Sequence, residues 1–163
     1  MKSIQERFDA KWQIGPRPPR RPDLGPCHIW TASTKPDTGY GEINFEGRKR
    51  LAHRVAWMLH TGESLTREQE IDHLCGVHAC VNILHLRKVT SSENKQNRTV
   101  GQSNSTSGIR GVSWSPRLNR WRAHVTHQRK FIHVGYFTDK VEAGEAARLK
   151  RLELMTHNDL DRI

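Results

Sequence analysis

Ile4, Phe8 and Trp12 recur every fourth residue at the start of the chain, with polar residues between them. That spacing puts all three on one face of a short amphipathic helix. The stretch GPRPPRRPDLGP, Gly15 to Pro26, breaks the pattern. Its prolines fix φ and remove backbone donors, so it reads as an extended basic arm. Cys27 to Thr31 and Gly39 to Phe45 read as two short strands; in the second, Tyr40, Glu42 and Asn44 alternate with Ile43 and Phe45. Asp37-Thr38-Gly39 and Glu46-Gly47 supply turn chemistry on either side. After the basic cluster Arg48 to Arg50, Val55, Ala56 and Leu59 share one face of a helix from about Ala52 to Leu59, and Gly62 suits its end.

Further on, Glu70-Ile71-Asp72 and Arg87-Lys88-Val89 read as strands on either side of a loop. Thr90 to Glu93 has the S/T-x-x-E form of a capping box, which places Asn94 in the first turn of a helix. The order is strand, loop, strand, helix. RTVGQSNSTSG, Arg98 to Gly108, is polar and reads as a flexible linker. Beyond it, Gly111 to Trp114, Trp121 to Val125 and Lys130 to Phe137 read as three strands, joined by turns at Pro116 to Asn119 and His127 to Arg129. Asp139 with Glu142 is a second cap signal. The helix expected over Lys140 to Met155 turns Val141, Ala147 (or Ala146), Leu149 and Leu152 towards the sheet. The organisation is an N-terminal helix and arm (1–25), a first domain (26–97), a linker (98–108) and a second domain (109–163), of α+β class.

Composition narrows the function. The 163 residues are only 34% hydrophobic, so two small domains fit better than one large core, and such domains need staples such as a bound metal. A formal charge of +10 points to a polyanion, most commonly nucleic acid. No apolar run nears the roughly 20 residues needed to span a bilayer, and no signal-peptide core is evident, so no membrane partner and an intracellular, non-secreted protein are expected. Three cysteines in a reducing compartment favour metal ligation or free thiols over disulfides.

The chemistry concentrates in IDHLCGVHACVNILHLRKVTSSENKQN, Ile71 to Asn97. Cys75 and Cys80, followed by His85, suit tetrahedral zinc. Cys27 is a candidate fourth ligand, with His28 and His78 as rivals. Hydrolysing a phosphodiester needs a group to take a proton from water, a role one histidine can fill. It also needs a divalent cation on the phosphate, and Mg²⁺ or Mn²⁺ prefers hard oxygen ligands. Asp72, His73 and Asn94 are the residues of that kind.

With those residues laid out, the chain resembles the HNH branch of the ββα-metal (His-Me finger) endonucleases, among them phage and intron-borne homing enzymes. The likeness is carried by Cys27-His28-Ile29-Trp30, Gly39-Tyr40-Gly41, Leu51 to Trp57, Asp72 to Cys75, Cys80 to Asn82, His85-Leu86, Val89-Thr90 and Glu93-Asn94. The resemblance implies a zinc-stapled ββα-metal core. His73 would be general base, Asp72 and Asn94 ligands of a catalytic Mg²⁺ or Mn²⁺, and Asn82 a brace for the loop. His85 would sit on zinc or, as in many relatives, on the catalytic metal. His53 or Arg54 would contact the scissile phosphate. The sequence departs from the usual pattern at His28, where Trp is common, and at Ile83, where Pro is.

The second domain carries six Lys or Arg between Arg110 and Lys130 and no acid. Arg110-Gly111-Val112, Trp121-Arg122-Ala123, Gly135-Tyr136-Phe137 and Glu142-Ala143 to Ala146-Ala147 resemble the APETALA/ethylene-response-factor DNA-binding domain. By that likeness a three-stranded antiparallel sheet packed on one helix reads double-stranded DNA, with Arg110, Trp114, Arg117, Arg120, Arg122 and His124 as candidate contacts. The expected activity is site-specific DNA cleavage of the homing type, leaving 5′ phosphate and 3′ hydroxyl ends. The alternative is a non-cleaving, sequence-specific DNA-binding regulator built on the same core. A homodimer would serve two-strand cutting, but no interface is visible in the sequence.

Overall fold

The computed structural model describes residues 2–97 and 105–162. It has small antiparallel sheets and helices, α+β as expected, and divides into two compact units, one ending at Asn94 and one covering Lys95–Arg162. Most of the expected linker, residues 98–104, lies outside the described residues.

In the first unit, α1 (Ile4–Asp9) starts at a capping box: the Ser3 hydroxyl accepts from the Glu6 amide and the Glu6 carboxylate from the Ser3 amide. Phe8 is buried against Trp30, ring centroids 5.2 Å apart. Trp12 does not continue the helix. It opens β1 (Trp12–Ile14), which pairs with β2 (His28–Trp30). Because β1 and β2 are antiparallel, the proline-rich stretch between them doubles back and is no extended arm. It makes a 3-10 turn at Pro22–Leu24, buries Pro18, and pairs Arg21 with Asp23.

Next come β3 (Glu42–Phe45) and β4 (Arg48–Leu51), a hairpin closed by Glu46 and Gly47, both at positive φ. The basic cluster is therefore a strand, which its charged side chains hid. Helix α2 (Ala52–Thr61) buries Ala52, His53, Val55 and Ala56 and stops at Gly62, φ 73°. Then β5 (Gln69–His73) and β6 (Leu86–Thr90) pair with Asp72 opposite Arg87. Thr90 and Glu93 form the expected reciprocal cap on α3 (Ser91–Asn94). Phe8, Trp30, Ile43, Val55, Ile71, Val81 and Leu86 are among the core.

The second unit has β7 (Val112–Ser115), β8 (Arg120–His127) and β9 (Lys130–Phe137) in that order, with α4 (Lys140–Leu154) packed on the sheet. Asp139 caps α4, its Oδ1 accepting from the Val141 and Glu142 amides at 2.7 and 2.9 Å. The buried face of α4 is Ala143, Ala147 and Arg151. Val141 and Leu149, expected to face the sheet, are 69% and 54% exposed. Alanines allow the helix to sit close over Ala123 and Val112, and this small-residue stripe, not the larger aliphatics, faces the sheet. Below it, Arg151 and Asp161 make a buried two-pronged ion pair, Nε–Oδ2 2.6 Å and Nη2–Oδ1 2.9 Å.

Candidate active site and metal centre

Cys27, Cys75, Cys80 and His85 are buried together, their ligand atoms all within 4.8 Å of one another. A tetrahedral zinc with bonds near 2.0–2.3 Å needs ligand atoms roughly 3.3–3.8 Å apart, so small side-chain movements would close the cluster on an ion. Three segments bring the ligands together. The Trp30 amide donates to the Ala79 carbonyl and the Val81 amide to the His28 carbonyl, at 2.8 Å each, which sews the Cys27 strand to the Cys80 loop. Asn82 adds a cross-tie: its Nδ2 donates to the Pro26 carbonyl at 3.0 Å and its Oδ1 accepts from the Leu84 amide.

The tautomer of His85 follows from its partner. A carbonyl can only accept, so Nε2 carries the proton that bonds Leu24 O at 2.9 Å. The lone pair is then on Nδ1, which lies 3.5 Å from Cys80 Sγ and 3.6 Å from Cys27 Sγ. Burial and the adjacent Cys80 push the Cys27 thiol up to about 11, and a hydrogen bond to Cys80 raises Cys75. Three thiolates this close repel in a site of low polarity, and a divalent cation is what removes that cost. The rivals for the fourth position stand apart: His28 stacks on Trp12 at 4.2 Å, and His78 Nδ1 donates to Thr38 O at 2.7 Å.

Next to the cluster, His73 is 4% exposed, and its Nε2 must donate to Cys80 O at 2.9 Å. The proton is thereby fixed on Nε2 and the lone pair on Nδ1. Burial pushes its pKa down to about 4, so the ring is neutral at physiological pH. The Asp72 carboxylate is held through Oδ2 by Arg87, Nε at 3.1 Å and Nη2 at 2.9 Å. Asn94 donates through Nδ2 to the Glu70 carboxylate. Glu70 and Asp72 are two apart on β5 and so share a face. Tyr40 joins these groups: its ring is 5.8 Å from His73, and its hydroxyl is raised by burial first and then by the charges of Asp72 and Glu70. His53 packs edge-on to His73 at 4.7 Å and against Tyr40 at 5.1 Å; burial holds it well below its ordinary pKa. Arg54 turns elsewhere, its two Nη atoms donating to the Gln69 and Thr66 carbonyls.

Tyr40, Glu70 and Arg87 were not among the expected site residues. Glu70 carried a signal, since it precedes Asp72 by one strand period. Arg87 did not, because its pairing depends on register.

In the second unit the strand register sorts the candidate contacts. Trp114 pairs with Trp121 on the face shared by Val112 and Ala123, the side covered by α4. It remains 40% exposed and packs edge-on to Trp121. Arg120, Arg122 and His124 alternate onto the open face. There Arg122 lies over the Phe131 ring, 5.5 Å from its centroid, and His124 stacks on Phe131 at 4.9 Å. His133 and Tyr136 complete this face. Arg117 is exposed in the turn between β7 and β8. Arg110 is an internal brace, donating to the Gln96 and Lys95 carbonyls and lying 3.6 Å from Asp161.

Residues 50–96 match the family model described as HNH endonuclease. The matched stretch covers under a third of the chain and includes Asp72, His73, Cys75, Cys80, Asn82, His85 and Asn94. It supports a nuclease or DNA-binding role for the first unit, with DNA as the implied substrate. No match was found among curated proteins or among solved structures. No helix among the described residues is long and apolar enough to cross a membrane.

Proposed function

We propose that this protein is a metal-dependent DNA endonuclease of the homing type, in which the first unit cuts and the second holds the enzyme on its site. The observation that carries the reading is the neutral, buried His73, tied through Nε2 to a backbone carbonyl and left with its lone pair on Nδ1. Such a ring takes a proton from an attacking water without turning out of place. Asp72 and Asn94 offer the oxygen donors for Mg²⁺ or Mn²⁺. That ion, when bound, would neutralise charge on the scissile phosphate and stabilise the leaving 3′ oxygen.

The chain's own groups do the remaining work. Arg87 orients the Asp72 carboxylate, Tyr40 packs against the imidazoles, and the Cys₃His cluster with its Asn82 tie keeps rigid the loop that follows His73 at the end of β5. The packing of His53 edge-on to His73 supports a phosphate contact beside that ring. On the second unit, the open face with Arg120, Arg122 and His124 supplies phosphate and base contacts, and its aromatic rings give a surface for a groove. Its likeness to APETALA/ethylene-response-factor domains supports the same use. Supercoiled plasmid incubated with zinc-loaded protein and Mg²⁺ or Mn²⁺ should be nicked or linearised, with 5′ phosphate ends. His73→Ala should bind DNA and leave it uncut. Intact plasmid with the wild-type protein under both ions would remove the nuclease reading and leave the DNA-binding one.

A further inference from the structure

We infer that Glu70 is a positioning residue of the hydrolytic site, acting through Asn94; this rests on the nuclease reading above. An Asn side chain ends in an oxygen and a nitrogen of nearly equal size, and only the oxygen can bind a hard cation. Which end faces the site therefore decides whether Asn94 is a ligand at all. The Glu70 carboxylate only accepts, so the Asn94 end that meets it is Nδ2. That contact turns Oδ1 away from Glu70 and fixes it as the end available to the ion.

The placement has structural support. Asn94 ends a helix of only four residues, Ser91–Asn94, which has little stiffness of its own. Glu70 lies on β5, in register with Val89 of β6, and Arg54 pins the backbone next to it through the Gln69 carbonyl. The short helix thus borrows its precision from a strand. Partners that orient a metal ligand are commonly worth roughly 10–100-fold in metal affinity.

The test compares Glu70→Ala with Glu70→Gln in the zinc-loaded full chain. Glutamine keeps an acceptor oxygen for Asn94 Nδ2 and loses the charge. The Mn²⁺ concentration for half-maximal plasmid nicking should rise roughly 10-fold or more in the alanine variant and stay near wild type in the glutamine variant, with KM for DNA and zinc content unchanged. Independently of activity, the ¹⁵N–¹H signals of the Asn94 side-chain amide should lose their hydrogen-bonded shift in Glu70→Ala and keep most of it in Glu70→Gln. Mn²⁺ should broaden those signals at lower concentration in wild type than in the alanine variant. A Glu70→Ala enzyme with wild-type Mn²⁺ dependence would overturn the assignment. So would a glutamine variant as impaired as the alanine one, which would make the carboxylate a ligand or a charge and not an orienting acceptor. A wild-type protein inert with Mn²⁺ and Mg²⁺ would instead sink the nuclease reading; this inference would go with it.

Discussion

The two units solve the same problem in opposite ways. Each is small, basic and poor in large aliphatics, and each has polar groups in its interior. In the second unit Arg151 and Asp161 close on one another with two hydrogen bonds, and a remaining guanidinium nitrogen of Arg151 donates to the Arg110 carbonyl, although the fully buried Asn158 side-chain amide beside them has no hydrogen-bond partner among the described residues. In the first unit three polar side chains are tied down at one end. His85, His73 and the half-buried Asn94 each give a proton to an acceptor-only partner, Leu24 O, Cys80 O and Glu70, which sets Nδ1, Nδ1 and Oδ1 as the atoms that carry the lone pairs. A closed interior holds a shape for use on its outer surface. A half-closed one, on the proposed nuclease reading, is itself the working part.

The sharpest way to break this contrast is to remove metal. Structural zinc in small domains contributes roughly 10–16 kcal/mol of apparent free energy near neutral pH, more than a unit of this size holds otherwise. Chelation, or Cys80→Ser, should abolish zinc binding and unfold the first unit, while amide hydrogens of β8 and α4 keep their protection. Elemental analysis with hydrogen exchange resolves both halves. Zinc-free wild-type protein with a protected β5–β6 pair would end the staple argument.

His73→Ala tests the half-closed side without touching the staple. Loss of a general base costs roughly 10²–10⁴-fold in turnover. Zinc content should stay near wild type, while the thermal midpoint should fall modestly, since the buried ring also packs on His53 and Tyr40. Cleavage at the wild-type rate would remove His73 from the mechanism.

Asp161→Asn tests the closed side. Removing one partner of a buried ion pair costs about 3–5 kcal/mol, because the other charge is left uncompensated. Unfolding of the second unit should move to lower denaturant, with zinc content unchanged and DNA affinity falling with the folded fraction. An unaltered denaturant midpoint would mean that the buried pair carries little of that unit's stability.

The same contrast explains what could be read from sequence. The ligand set, the strand–loop–strand order and the Thr90–Glu93 cap were legible because they rest on rare residue types at short spacing. The positively charged strand β4 was not, since Arg48-Lys49-Arg50 shows no apolar alternation and its place is set by a two-residue turn. The buried stripe of α4 was legible only in part: Ala147 was expected there and is buried, but periodicity weights Val141 and Leu149 by hydrophobicity, whereas close approach to the sheet favours Ala143 beside Ala147. Arg110 counted as a DNA contact on its charge and on the likeness of the second domain, yet its partners Lys95, Gln96 and Asp161 come from both ends of the second unit. Glu70 and Arg87 act through pairings that appear only once β5 and β6 are in register.

The smallest expected effects lie on the sheet of the second unit, and they separate its two faces. Arg122→Ala removes one cation from the open side, where it lies over Phe131. If it meets a phosphate, the slope of log affinity against log salt should fall by about 1, with little change in stability. Trp114→Ala acts on the covered side, where its ring packs on Trp121. It should lower the unfolding free energy by about 1–3 kcal/mol, the ring being only partly buried, and leave the salt slope as it was. Exchange of the two outcomes, a salt effect from the tryptophan and a stability loss from the arginine, would place DNA on the helix-covered face and reverse the argument from register.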